Sequence, residues 1–130
     1  MAKRVSCLSI LEKNQMKLPN TSLARVDREK IIEYLLNAEH RFGASKARFF
    51  ASFGFNLMDW EVLAQALKQH GQQNNVRNVR QTLFGPRYEV DGELNAADGR
   101  RPRIRTVWQM DRGEVAPRLI TAYPLEANND

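Results

Sequence analysis

Arg103-Ile-Arg-Thr-Val-Trp108, read against Arg87-Tyr-Glu-Val-Asp-Gly-Glu-Leu94, decides the fold. Each stretch alternates apolar or aromatic residues with charged ones, the period of two of a strand with one covered face and one open face. Tyr88, Val90 and Leu94 share one face of the earlier stretch, while Arg87, Glu89, Asp91 and Glu93 share the other. In the later stretch Ile104, Thr106, Trp108 and Met110 oppose Arg103, Arg105 and Gln109. Like faces match only when the numbers of paired residues sum to an even value. A turn centred on Asp98 pairs Tyr88 with Trp108, Val90 with Thr106, Asp91 with Arg105 and Glu93 with Arg103, and both faces are satisfied in one register.

Working outward, Pro117-Arg-Leu-Ile-Thr-Ala-Tyr-Pro124 reads as the next strand, reached by a turn near Gly113-Glu114. Strict alternation sets Trp108 beside Leu119, Thr106 beside Thr121 and Ile104 beside Tyr123. It places Arg118, Ile120 and Ala122 on the face of Arg103 and Arg105, and turns Trp108 and Tyr123 toward the core. The period of two begins at Val76, and Gly85-Pro86, Asp98-Gly99 and Arg112-Gly113 punctuate it. The second half is therefore expected to be an antiparallel meander of about four strands.

Before Val76 the period is helical. Asp27 is placed to cap a first helix carrying Ile31, Ile32, Leu35 and Leu36 and ending near Asn37. Ser45 is placed to cap a second, whose Phe49, Phe50 and Phe53 supply core before Gly54 stops it. A third runs from about Leu57, with Trp60, Leu63, Ala64 and Leu67 on one face, Lys68 and His70 in its last turn and Gly71 beyond. Helices first and strands second give an α+β domain, the helices packed on one face of the sheet. We expect residues 17–125 to form it, with a flexible leader at 1–16, a tail at 126–130 and Met16 as an alternative start.

The 130 residues suit one domain with its own core. Cys7 is the one cysteine, which excludes an intrachain disulfide or a cysteine-built zinc site and suits a reducing, cytoplasmic setting. No apolar run approaches the roughly 20 residues that span a bilayer. A net charge of +5 favours anionic partners without naming one. A glycine-rich phosphate loop, a Gly-x-Ser-x-Gly elbow, a paired-histidine motif and a dinucleotide fingerprint are all missing, so neither a metal nor a cofactor is expected.

Two groups of residues invite a chemical reading. No lysine follows Lys68, and the strands carry arginines, whose planar fork suits phosphates and carboxylates. Either Asp91 and Glu93 pair Arg105 and Arg103 across a solvated sheet face, or Arg105 and Arg118, with Arg87 nearby, hold a phosphate. His40 lies in a loop among basic groups; it suits proton transfer near neutrality, and Lys46 is close enough in sequence to stabilise a phosphoryl oxygen. Alternatively His40 caps the end of the first helix and Lys46 is a solvated first-turn residue of the second. His70 is accounted for by the dipole at the end of its helix. Trp108 and Tyr123 read as core, with the Tyr123 hydroxyl available at the strand end.

His40-x-x-Gly43-x-x-Lys46-Ala47 with Phe49-Phe50, then Gly85-x-Arg87-Tyr88, Arg105-Thr-Val-Trp108 and Pro117-Arg-Leu-Ile-Thr-Ala-Tyr-Pro124, resembles a bacterial domain family of unknown function over residues 17–125. That family occurs as small free-standing proteins, often beside a small partner gene, and as a C-terminal module of toxin-like proteins. Its element order is also similar to that of barnase-like and RelE-like ribonuclease toxins. The resemblance points to His40, Lys46, Arg105, Arg118 and Tyr123 as the polar positions of interest. The family carries no established activity; the convergence of one loop histidine with an arginine-bearing sheet leads us to expect a metal-independent endoribonuclease of a toxin–antitoxin pair, with His40 and Tyr123 catalytic and Lys46, Arg105 and Arg118 binding phosphate. RNA and a small antitoxin protein would be the partners. The alternative is a binding module that meets protein or RNA without cleaving it.

Overall fold

Four strands pair in sequence order: β1 (Val76–Thr82), β2 (Gly85–Glu93), β3 (Arg103–Gln109) and β4 (Arg118–Pro124), each antiparallel to the next. The computed structural model describes residues 16–125; the rest of the expected leader and the tail lie outside the described residues. Helices precede the sheet, so the domain is α+β as expected.

The β2–β3 register is the one read from the sequence: Tyr88 opposite Trp108, Val90 opposite Thr106, Asp91 opposite Arg105 and Glu93 opposite Arg103. The β3–β4 register starts as expected, with Trp108 opposite Leu119, and then departs. Thr106 pairs with Ala122 and Ile104 with Pro124, because Ile120 is an extra residue inserted between Leu119 and Thr121. A bulge of this kind reverses the alternation beyond it. Ala122 is therefore buried in the core, and Tyr123, expected to face the helices, lies opposite Arg105 on the open face.

The first helix, α1, opens as a turn at Arg28–Lys30 and continues as a π-helix at Ile31–Leu35, where the Leu36 amide reaches back to the Ile31 carbonyl at 2.8 Å. Asp27 occupies the N-cap position with extended backbone, but its carboxylate pairs with Arg25 at 3.0 Å and bonds no helix amide. Ile31 and Leu35 enter the core fully buried.

Helix α2 (Ala44–Ser52) starts one residue before the expected cap, Ser45, and sends Phe50 into the core with Phe49 and Phe53 packed against it. Helix α3 (Trp60–Gln73) places Leu63, Ala66 and Leu67 over the sheet. It also runs through Gly71 instead of ending there. That glycine is needed for close approach: a Cβ on it would stand 2.7 Å from Cζ2 of Trp108.

The core lies between the helices and the covered face of β2, β3 and β4, built around Trp108, Leu119, Ile104 and Val90. β1 adds only Val76 to it. From Arg77 to Gln81 every residue of that strand is exposed.

Candidate functional site

His40 sits in the turn between α1 and α2, and its side chain builds that turn. Nδ1 accepts the amides of Phe42 and Gly43 at 2.9 and 3.0 Å, a duty usually left to serine or aspartate at a helix start. Because both bonds require an unprotonated Nδ1, the neutral ring carries its hydrogen on Nε2. The imidazole meets the Tyr34 ring edge to face with centroids 5.0 Å apart. Gly43 is needed beside it, since any Cβ there would collide with the Tyr34 carbonyl and ring.

Tyr34 is where the loop residues meet. Lys46 Nζ lies 5.6 Å from its ring centroid and Lys30 Nζ 5.2 Å, both within cation–π range. Its hydroxyl is 3.0 Å from Oγ1 of Thr121 on β4. An open cavity of about 750 Å³ lies between α1, the His40 turn and β4, with His40, Tyr34, Phe42, Glu33, Lys30 and Thr121 in its lining. The structure thus brings His40 and Lys46 to one ring that the sequence reading did not single out.

The arginines lie elsewhere. Arg105 grips Asp91 with both arms of its fork, at 2.6 and 3.0 Å, and a further nitrogen lies 3.7 Å from Glu89. Arg77 of β1 approaches the same Asp91 at 3.6 Å. Tyr123 completes the cluster, its hydroxyl 3.4 Å from Arg105 and its ring beneath the guanidinium. The hydrogen bond to Asp91 and, after it, that to Tyr123 hold the Arg105 guanidinium more firmly protonated than usual, against the opposing effect of partial burial.

Arg118 forms a third cluster. It bonds Asp111 at 2.7 Å, which holds the Asp111 carboxyl below the usual range. The residues around it are tied to the helical layer through Arg25, whose backbone pairs with Pro117 and Leu119. Arg87 bonds Gln109 and does not join either arginine.

These clusters are strung along one strand. Arg118 opens β4, Ile120 and Thr121 border the cavity, and Tyr123 stands opposite Arg105. Thr121 and Tyr123 follow the bulge on the same face, roughly 7 Å apart at strand rise. His40 and Arg105 share no lining residue, but β4 joins their surroundings.

His70 belongs to the core. It is 2% exposed; Nε2 donates toward the carbonyls of Gly92 and Ile104 at 3.1 and 3.2 Å, and Nδ1 accepts from the Thr106 hydroxyl at 2.9 Å. The Thr106 oxygen in turn accepts Trp108 Nε1 at 2.8 Å. Burial pushes the His70 pKa below its ordinary value, which keeps the ring neutral. The helix dipole expected to explain His70 is replaced by this closed chain of hydrogen bonds.

Among the described residues, no helix is long and apolar enough to cross a membrane, and no three His, Cys, Asp or Glu side chains gather as a metal site would require.

No curated protein matches the sequence. Among solved structures, a chain of a contact-dependent growth inhibition toxin - immunity protein complex from Klebsiella pneumoniae 342 has a similar fold, with a TM-score of 0.63 at 16% identity. The match covers 78% of this chain and 100% of that one, and at such identity it is a likeness of fold. Residues 17–126 match the model of a domain of unknown function, DUF6883, and the chain belongs to that family.

Proposed function

We propose that this domain is a toxin-like, metal-independent endoribonuclease that works in the cytoplasm and is held in check by a small antitoxin or immunity protein. The observation that carries the reading is the meeting of His40, Lys46 and Lys30 around Tyr34, a ring that lines an open groove together with His40, Lys30 and Thr121 of β4. The fold it shares with a chain of a toxin–immunity complex supports the toxin-like part.

Cleavage of RNA without a metal proceeds by attack of the 2′-hydroxyl on the neighbouring phosphorus and departure of the 5′-oxygen. It needs one proton taken, one given, and positive charge beside the phosphoryl oxygens. In this reading His40 Nε2 faces the reacting phosphate, and Lys46 and Lys30 balance its charge. Arg105 and Arg118 hold flanking phosphates along β4. The Tyr123 hydroxyl, beside Arg105, assists from the strand.

The tautomer of His40 adds a condition. Nε2 can take a proton only if another first occupies Nδ1, and an imidazolium donor likewise carries hydrogen on both nitrogens. Either state breaks the bonds from Phe42 and Gly43. Proton exchange is therefore coupled to a loosening of the 40–43 turn when substrate enters.

A specific observation favours a second reading, the non-catalytic binding module. Arg105 and Arg118 already have carboxylate partners, Asp91 and Asp111. Such pairs preorganise a phosphate clamp, and they equally suit a sheet face that meets a protein.

Tightly controlled expression in a bacterial host tests both. Wild type is compared with His40→Ala, Lys46→Ala and Arg105→Ala, following growth and total RNA on a gel. The enzyme reading expects growth arrest with new RNA fragments, lost in variants that still fold. Healthy growth and intact RNA with well-expressed wild type would transfer the proposal to the binding module.

A further inference from the structure

Phe42 is 68% exposed, although it stands in the wall of the His40 groove. The Arg41 guanidinium lies 5.3 Å from its ring centroid, and the His40 ring is 6.2 Å away, tilted by 57°. A phenylalanine held open beside a histidine offers a flat apolar surface, and single-stranded RNA is commonly gripped by stacking its bases on such rings.

The same groove is lined by Glu29 and Glu33 of α1. Asp27, the third carboxylate of the lining, is engaged by Arg25. Glu29 and Glu33 take part in none of the ion pairs among the described residues. Lys30, their neighbour on the helix, lies over Tyr34 instead. The groove therefore presents free carboxylates and cations a few residues apart, together with an open ring.

A phosphate satisfies only the cations and is repelled by the carboxylates. A nucleotide can satisfy all three features, provided its base offers donors to the carboxylate. Guanine does so best: its N1–H and N2 amino hydrogens point the same way and meet the two oxygens of one carboxylate. Adenine and cytosine place a ring-nitrogen acceptor beside their amino group, and uracil flanks its single N–H with two carbonyls. Each of those edges sets a lone pair against the carboxylate.

We infer that the groove is a guanine subsite, in which the base stacks on Phe42 and gives its N1–H and N2 hydrogens to Glu33 or Glu29. The inference rests on the ribonuclease reading and names the nucleotide that would lie beside the cleaved bond.

The test is titration of the ¹⁵N-labelled wild-type chain with 3′-GMP, 3′-AMP, 3′-CMP and 3′-UMP, following the Phe42 and Gly43 amides by NMR. 3′-GMP should shift these signals at concentrations at least tenfold lower than the other three. Phe42→Ala should weaken 3′-GMP binding about fivefold or more, and either Glu33→Gln or Glu29→Gln should erase the preference while the chain stays folded. Equal response to all four nucleotides, preference for another base, or no response overturns the inference.

Mapping the ends of RNA fragments from the same protein separates this inference from the enzyme reading. Cleavage without regard to guanine removes the subsite and keeps the ribonuclease. Selective 3′-GMP binding with RNA left intact removes the ribonuclease and keeps the subsite.

Discussion

The Tyr34 hydroxyl and the Thr121 hydroxyl stand 3.0 Å apart and join α1 to β4 across 87 positions of sequence. The same tyrosine ring carries Lys30, Lys46 and His40 around it, so one side chain sets both the distance between helix and strand and the arrangement of the groove.

Replacing Tyr34 with Phe tests the bond while keeping the ring. The loss should be modest, about 0.5–1.5 kcal/mol, because Thr121 is only partly buried and can turn to water. Urea denaturation should show a lower midpoint with an unchanged slope. Tyr34→Ala removes the packing as well and should cost about 3 kcal/mol or more.

Thr106→Val is nearly isosteric but removes the hydroxyl that accepts from Trp108 and donates to His70. Two buried groups then lack a partner at once, and at about 1–3 kcal/mol for each the variant should lose roughly 2–6 kcal/mol. The Trp108 contribution to the fluorescence of the folded protein should change with it.

His70 gives the domain a pH dependence of definite sign. Burial holds its folded pKa below the ordinary 6.5, with the Gly92 and Ile104 carbonyls and Asp91 opposing the shift. The unfolded chain therefore takes the proton first, and stability rises with pH through this window. The contribution is fully present above pH 6.5 and declines as pH falls toward the folded value, with a slope of at most about 1.4 kcal/mol per pH unit from one proton. Unfolding free energies measured between neutral pH and mildly acidic pH should show the decline, and His70→Gln should flatten it. An equal slope in both proteins would assign it to other groups.

Gly71→Ala should destabilise although alanine is the better helix former. The added carbon would press on Trp108 at 2.7 Å, and overpacking of this kind costs about 1–3 kcal/mol, more than the roughly 1 kcal/mol gained in helix propensity. Thermal unfolding followed by circular dichroism measures the balance.

The β2–β3 pairing was legible because two independent constraints, apolar parity and opposite charge, agree on a single turn centre. The end of β4 was not. A bulge breaks the period on which parity depends, and the residue that forms it, Ile120, is itself a good strand former with nothing to mark it. Tyr123 and Ala122 exchanged faces as a result.

Helix positions were legible, but their caps were not. Asp27 has the right backbone and turns its carboxylate to Arg25, while His40, read as a proton-transfer group or a cap on the end of the first helix, instead secures the start of α2 in place of Ser45. The meeting of His40 with Lys46 around Tyr34, and the closure of His70 into the core, depend on tertiary packing that no local period encodes.

The bulge at Ile120 decides which residues of β4 reach the open sheet face. Were Ile120 to take a place in the ladder, with every other side chain unchanged, Thr121 to Pro124 would turn over, sending Tyr123 inward and Ala122 out to Arg105. Deleting Ile120 would instead leave Thr121 opposite Val107 and Tyr123 opposite Arg105, so a relative one residue shorter there can present the same face. An alignment of such relatives should set the gap at Ile120, where it moves no side chain across the sheet.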